Sequence, residues 1–185
     1  MKATGIVRRI DELGRVVIPK EIRRTLRIRE GDPLEIFTDK EGEVILKKYS
    51  PIGELGDFAK EYAESLHQSL GHIAVICDKD TVISVSGAPK RDFIDKPISD
   101  EVDRLMRDRE KVIYSRAEND ELIPVSSLSD DSDSYTAEAV VPILSSGDAI
   151  GAVILLSRDN GCIMNDTELK VCETAANFMG KQMEV

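Results

Sequence analysis

The stretch from Gly14 to Leu26, GRVVIPKEIRRTL, places the tightest limits on what this chain can fold into. Glycine turns readily at positive φ, and the β-branched run that follows it predicts a short strand. Pro19 cannot donate a ladder hydrogen bond, so the strand is expected to end there. The fixed φ of Pro19 suits the first turn of a helix, which the spacing of apolar residues predicts over Lys20–Arg27. The stretch is therefore read as a strand, a proline corner and a short helix.

Basic residues are concentrated in the same part of the chain. Residues 1–29 contain nine basic and three acidic side chains, a net charge of +6, whereas the whole chain carries −10. Seven of the nine are arginines, whose planar guanidinium groups fit phosphate oxygens and guanine edges. The solvated face of a helix would explain a lone run of arginines, but here further cations surround the run. A basic segment at one end of an acidic protein suggests a polyanionic partner.

Three pieces of this segment carry a family resemblance: Thr4–Arg9, Asp11–Pro19 and Glu21–Leu26. They closely resemble the DNA-binding head of the AbrB-type transition-state regulators, over about residues 1–51. The resemblance implies a dimeric swapped-hairpin β-barrel and a double-stranded DNA partner. The order of such a head and an acidic C-terminal part is similar to that of sporulation regulators of endospore-forming bacteria. That similarity implies a transcription factor carrying a sensor-like GAF domain.

The resemblance also assigns the candidate DNA contacts. Four arginines stand where the AbrB-type motif has its DNA-contacting arginines, and they are the first candidates: Arg8, Arg15, Arg23 and Arg24. Four further cations are expected to contact phosphate or the rim of the interface: Lys2, Arg9, Lys20 and Arg27. Phosphate contacts supply affinity and orientation, whereas base-edge contacts supply sequence specificity. The sequence does not divide these residues between the two roles.

The head is small for a domain that must fold alone. Four strands are expected, at residues 5–10, 15–18, 34–38 and 43–48, with a hairpin turn at Asp39–Gly42. The first strand does not alternate cleanly, which suggests a bulge or a strand wrapped by a partner. About 50 residues rarely build a stable core by themselves. A dimer with interleaved strands, as the resemblance implies, would cover the apolar side chains and set two arginine clusters side by side on a duplex.

The residues after the head predict a boundary and a helix. Ser50–Gly53 marks the boundary, so the expected division is a DNA-binding domain at 1–51, a linker helix at 52–71 and a regulatory and dimerisation domain at 72–185. Apolar residues at helical spacing predict the helix over Leu55–Leu70. Two interpretations stay open: a core helix of the C-terminal domain, or a connecting helix that packs against its symmetry mate.

The C-terminal part predicts an α+β fold with an antiparallel sheet and flanking helices. Five strands are expected, at residues 72–77, 81–86, 111–115, 135–144 and 149–157, the last two joined by a hairpin turn at Ser145–Asp148. Ser99 and Asn165 are expected to cap two further helices, the second with a capping box to Glu168. The plan, together with Gly147–Leu156, resembles a GAF domain, although the signature of cyclic-nucleotide-binding GAF domains is not evident. From residue 51 onward the net charge is −13, so this part is not expected to hold DNA itself.

The sequence favours no enzyme and no metal site. It lacks GxSxG, P-loop, HExxH and CxxC motifs, and its three cysteines are expected to be reduced thiols. His67 and His72 have no cysteine or carboxylate at ligand spacing. The run Ser126–Ser134 contains three aspartates, Asp130, Asp131 and Asp133, but lacks the glycine and terminal glutamate of the usual calcium loop, so a solvated loop is expected. No cofactor is predicted.

The longest apolar run falls well short of the roughly 20 residues of a transmembrane helix, and the polar N-terminus does not suggest a secretory signal. We therefore expect a cytoplasmic, nucleoid-associated transcription regulator, an activator or a repressor, that forms a homodimer through its head. A homotetramer through the C-terminal domain, and an unknown small-molecule effector bound there, are the further expectations. The alternatives are a protein-interaction module such as a toxin–antitoxin antidote, and a C-terminal domain that is purely structural.

Overall fold

The computed structural model describes residues 5–50, 52, 56–128 and 134–184. The chain separates into two compact units, Met1–Tyr49 and Ser50–Val185, which we call the head and the second unit. In the described residues, no helix is both long enough and apolar enough to cross a membrane.

The head contains one short helix and one hairpin. Helix α1 spans Lys20–Thr25, and strands β1, Leu34–Thr38, and β2, Val44–Lys48, pair antiparallel with Ile36 opposite Leu46. The turn between the strands is closed by Asp39, whose Oδ1 accepts hydrogen bonds from the backbone N–H groups of Glu41 and Glu43 at 3.0 and 2.9 Å. The predicted hairpin and helix are thus present.

Two predicted strands are absent from the single chain. Residues 5–10 and 15–18 take no strand pairing, and only the turn between them forms, with Gly14 at φ +77°. The physical reason is that a strand needs a neighbour for its backbone groups, and this chain supplies none there. Apolar side chains are correspondingly uncovered: Val7 is 89% exposed and Val17 is 71% exposed. Val44 and Leu46 of β2 are exposed as well.

The second unit is built on a five-stranded antiparallel sheet, as predicted. Its strands lie in the order β4–β3–β7–β6–β5. Their bounds are Ile73–Asp78 for β3, Val82–Ser86 for β4, Val112–Ser115 for β5, Ala137–Ser145 for β6 and Asp148–Ser157 for β7. Ser146 and Gly147 both have positive φ in the tight turn that joins β6 to β7, as the turn residues suggested.

Helices and loops cover both faces of this sheet. Helices α2, Gly56–Leu70, and α4, Asp166–Gln182, pack on one face over a core rich in alanine and aliphatic side chains. Helix α3, Asp100–Asp108, lies on the other face together with loop residues such as Phe93, Leu122 and Val125. The second unit therefore has three layers and two apolar cores.

The caps of two helices agree with the sequence. The Ser99 side chain accepts from the N–H of Val102 at 3.1 Å and begins α3. Asn165 accepts from Thr167 N–H while Glu168 accepts from Asn165 N–H, both at 2.8 Å, which completes the capping box of α4.

Helix α2 is a core helix of the second unit. Its residues Ala59 and Ala63 are fully buried and Leu66 nearly so, all within the core shared with α4. The chain just before it is also anchored there. Ser50 donates to Asp78 Oδ2 at 2.7 Å, and Ile52 is fully buried. Leu55, the predicted start of the helix, lies outside the described residues.

Candidate nucleic-acid interface

A proline corner sets the position of the cations in the head. Pro19, with φ −56° and ψ 146°, is the one buried residue among residues 5–49 and stands directly before α1. The helix has only six residues, so it is marginal in isolation. Its end is closed by the chain that follows, since the N–H of Ile28 donates to the carbonyl of Arg23 at 2.7 Å. The predicted helix was too long by two residues, because the chain leaves α1 after Thr25.

The cations of this corner differ in their surroundings. Lys20, Arg24 and Arg27 are exposed, and Arg27 lies beyond the helix with φ 51° in the left-handed region. Arg23 is half-buried, and its buried Nε has no hydrogen-bond partner among the described residues. A desolvated guanidinium N–H without an acceptor is unfavourable, so an incoming oxygen acceptor would be stabilised there.

Arg15 is held in place by an acidic residue of the preceding turn. Its Nε donates to Asp11 Oδ2 at 2.9 Å, and its backbone N–H donates to Asp11 Oδ1 at 2.8 Å. These two hydrogen bonds, the backbone one first, lower the pKa of Asp11 below its ordinary value. The Arg15 side chain remains 70% exposed, so Asp11 orients it without covering it. This orienting contact was not foreseen from the sequence, although the four-residue spacing was visible.

The remaining predicted contacts lie on the N-terminal segment. Arg8 and Arg9 are both exposed. Arg8 borders an apolar groove whose wall includes Val17 and Ile22, so it stands next to the corner that carries α1. Lys2 lies outside the described residues. The head therefore brings Arg8 close to the α1 corner and leaves seven of the eight predicted cations within the described chain.

The described residues do not favour a metal site or a reactive cysteine. Asp39, Glu41 and Glu43 bring carboxylate oxygens within 4.8 Å of one another, but all three are exposed and Asp39 already accepts two backbone hydrogen bonds. Burial raises the pKa of Cys77 and that of Cys172 to about 12, so both thiols stay protonated. The aspartates of the loop considered for calcium, Asp130, Asp131 and Asp133, lie outside the described residues.

The two histidines make a structural contact. His67 Nδ1 lies 2.7 Å from the carbonyl oxygen of His72, so that nitrogen carries the proton and donates. Gly87 lies against the same ring, because a Cβ there would be 2.6 Å from His67 Nδ1. This packing ties the end of α2 to the sheet.

One buried charged residue of the second unit was not identified as a functional candidate from the sequence. Glu138, the second residue of the apolar strand β6, is 1% exposed. A lone acid in a strand that is otherwise apolar on both faces was the available signal.

Comparison with known proteins follows the division into two units. A family profile described as "Stage V sporulation protein T C-terminal, transcription factor" matches residues 54–184, and one described as "Antidote-toxin recognition MazE, bacterial antitoxin" matches residues 7–54. Stage V sporulation protein T of Bacillus subtilis (strain 168) is 60% identical over 184 residues, covering 100% of this chain and 99% of its own length. The transition state regulatory protein AbrB of the same organism is 69% identical over 51 residues, covering 28% of this chain and 52% of its own length.

Solved structures show the fold of the second unit. The GAF domain of an Acinetobacter phosphoenolpyruvate-protein phosphotransferase aligns with a TM-score of 0.57 at 9% identity, covering 70% of this chain and 81% of that one. A fragment of a methyl-accepting chemotaxis protein aligns with a TM-score of 0.58 at 18% identity, covering 70% and 88%. The predicted α+β fold, an AbrB-type head followed by a GAF-like sheet with flanking helices, is confirmed.

Proposed function

This chain belongs to the stage V sporulation protein T family of transcription factors, and from that premise we propose that its head binds double-stranded DNA as a homodimer. The observation that carries the proposal is the arginine-rich corner around α1, which is exposed in a chain of net charge −10. Clustered guanidinium groups release condensed counterions when they meet phosphates, which drives binding to a duplex. Base-edge contacts by some of the same groups would supply the sequence specificity.

We assign the contacts as the sequence ordered them. Arg8, Arg15, Arg23 and Arg24 are the principal contacts, and the phosphate and rim contacts are Lys2, Arg9, Lys20 and Arg27. Orientation of Arg15 by Asp11 supports a pre-set role at the interface, since less side-chain entropy is lost on binding. The unpartnered Nε of Arg23 supports an acceptor arriving from outside the chain.

Dimerisation of the head has separate support. Residues 5–10 and 15–18 find no strand partner in the chain and expose valine and isoleucine side chains. A second copy would supply both missing strands and cover the apolar groove beside α1. Two heads related by a two-fold axis would present two arginine corners to one duplex.

A salt titration of DNA binding by the full chain tests this function. Fluorescence anisotropy with wild-type protein is expected to give a log affinity that falls with log salt by roughly 0.9 per phosphate contacted, for about six to ten phosphates per dimer. The variant Arg23→Ala/Arg24→Ala is expected to bind more weakly. A shallower salt slope would place these arginines on phosphates, and an unchanged slope would place them on base edges.

The control variant is Arg91→Ala/Arg104→Ala, which removes two exposed arginines from the second unit and changes the net charge equally. Its DNA affinity should match that of wild type. If wild type does not bind DNA at low salt, or if the control loses as much affinity as the test variant, the proposed interface is wrong.

We further propose that the second unit joins two dimers into a tetramer. Phe58, Tyr62 and Phe178 form an aromatic cluster on α2 and α4, with ring centroids 5.8 to 5.9 Å apart, and Phe178 is 42% exposed. Exposed stacked rings on two adjacent helices are a suitable surface for a second copy.

A small-molecule effector is proposed for the opposite face, beneath residues 87–97 and 116–128. These loops cover the apolar core next to α3, and the buried carboxyl of Glu138 lies at the edge of that core. The alternative is a scaffold whose face is filled by its own side chains, such as Phe93 and Leu122.

The remaining expectations follow from the regulator role. We place the protein in the cytoplasm at the nucleoid, assign it no catalytic activity, and keep the domain division at residues 51 and 71, with the helix between them packed into the core of the second unit. A toxin–antitoxin antidote is the alternative function, since the MazE description matches the head. The match of the second unit to a transcription-factor family over residues 54–184 weighs against it.

A further inference from the structure

Glu138 occupies an unusual position in the sheet of the second unit. Its strand neighbours in register are Tyr114 on β5 and Leu156 on β7. The residue is 1% exposed, and every other residue of β6 from Ala137 to Ile143 is apolar. A carboxyl group is rarely found in such surroundings, because burying it costs free energy that burying an apolar side chain does not.

The carboxyl holds the middle of a loop. We call residues 119–128 the covering segment, which has no helix or strand of its own. Its beginning is fixed by Asp120, whose Oδ2 accepts from Ser115 N–H at 2.9 Å. Its far part is fixed by Val125, whose carbonyl accepts from Ser99 N–H at 3.0 Å. Between these anchors the N–H of Ile123 donates to Glu138 Oε1 at 2.7 Å.

The second oxygen of the same carboxyl is unsatisfied. Glu138 Oε2 is buried and has no hydrogen-bond partner among the described residues. An ionised carboxylate has two oxygens to satisfy, whereas the uncharged acid is far less costly to bury. The geometry therefore favours the uncharged form while the covering segment is closed.

We propose that Glu138 is a proton-sensitive latch: the uncharged carboxyl holds the middle of the covering segment against the sheet, and ionisation loosens it. The anchors at Asp120 and Val125 stay in place, so only the span around Ile123 opens. Opening would uncover Leu122, which is 6% exposed in the closed form, and the core face beneath it. The latch requires neither DNA nor an effector.

Burial raises the pKa of Glu138 to about 7, against the lowering influence of the Ile123 N–H and the charge of Arg116. Other ionisable groups lie on the elements around it: Tyr114 on β5, Asp120 in the covering segment, and an ion pair of Asp103 with Arg107 on α3 at 3.3 Å. Asp120 is held by Ser115, and Asp103 is paired with Arg107, although α3 as a whole has four acidic and two basic residues. The Nε of Arg116 donates to the carbonyl of Tyr135 at 2.9 Å, and the Arg116 side chain is exposed, so its charge is screened.

The direction of the pH effect follows from proton binding. In the closed form the pKa is about 7, whereas a hydrated glutamate has the ordinary value of 4.5. Between these values the closed form binds more protons than the open form, so opening becomes easier as the pH rises through this window. If opening fully hydrates the carboxyl, the opening equilibrium constant rises about 10-fold between about pH 6 and pH 8 and levels off above that range.

Hydrogen exchange of the Ile123 amide in the full chain measures this opening. After correction for the intrinsic exchange rate, wild-type protection should fall about 10-fold between about pH 6 and pH 8. Glu138→Gln keeps an acceptor oxygen for Ile123 but cannot ionise, so its protection should not change with pH. The matched control is Glu121→Gln, an exposed glutamate of the same segment, which should behave as wild type.

A flat profile in wild type would overturn the latch, and so would a Glu138→Gln profile that follows wild type. If Glu138→Gln does not fold, a carbon-13 NMR titration of the wild-type carboxyl decides the matter. A midpoint near 7 that coincides with the loss of protection supports the latch, whereas a midpoint near the ordinary value of 4.5 refutes it. Either failure would leave the proposed DNA-binding function standing.

Discussion

Removing two methyl groups from one exposed valine of the head should weaken its dimer measurably. Val17 is 71% exposed in the single chain and belongs to the wall of the groove beside α1. Complete burial of two methyl groups is worth about 1.6 kcal/mol, so burying the exposed share gives about 1.1 kcal/mol per copy. The symmetric dimer loses this twice, about 2.2 kcal/mol, which raises its dissociation constant about 40-fold.

Sedimentation equilibrium of the full chain measures this effect. Val17→Ala should dissociate at the head at concentrations about 40 times higher than wild type. The experiment is best repeated in a Phe178→Ala background, so that association through the second unit does not hide the step. The matched control is Leu128→Ala, because Leu128 is 72% exposed but belongs to the second unit.

The comparison with Leu128→Ala separates the effect of the position of Val17 from the effect of its exposure. If Val17→Ala has the dissociation constant of wild type while remaining folded by circular dichroism, Val17 is not covered by a second copy and the swapped arrangement of the head is wrong. If Leu128→Ala weakens the head equally, exposure alone and not position determines the loss.

Two further predictions concern the second unit. Phe178→Ala should reduce the proposed tetramer to dimers in light scattering, because it removes a ring stacked on both Phe58 and Tyr62. The control Ile163→Ala, at a residue that is 49% exposed, should leave the tetramer intact. Tetramers that persist in Phe178→Ala would place the interface elsewhere. Thermal-shift screening of the full chain against metabolites and nucleotides should yield an effector that raises the melting temperature. At a ligand concentration of 100 times Kd, binding should increase the free energy of unfolding by about 2.7 kcal/mol. A broad screen without a stabilising compound would favour the scaffold alternative.

Local signals in the sequence were sufficient for much of the fold. Ser146 and Gly147 specified the turn between β6 and β7, because a tight hairpin needs residues that accept positive φ. Asn165 and Glu168 specified the start of α4, because their side chains satisfy backbone N–H groups a few residues away. In both cases the deciding contacts lie within four residues of the chain.

Contacts between distant residues, or with another copy, could not be predicted in this way. Residues 5–10 and 15–18 were read as strands from their composition, but the described chain offers them no partner strand, and the proposed pairing with a second copy cannot be predicted from local composition. Glu138 was overlooked because its hydrogen-bond partner, Ile123, is 15 residues away in a segment without regular structure. The half-burial of Arg23 also depends on how the chain folds back after α1.

The two units differ in how they are stabilised, and this difference bears on function. Helix α1 buries no residue and the head buries only Pro19 among residues 5–49, so the proposed second copy would supply most of its apolar contacts. The second unit, with apolar cores on both faces of its sheet, has the core that an independent domain needs. Because Ser50 and Ile52 are anchored in the second unit, each head is tethered directly to a stable body. Self-association of the second units would raise the effective concentration of the heads around one another. The second unit would then strengthen DNA binding without contacting DNA.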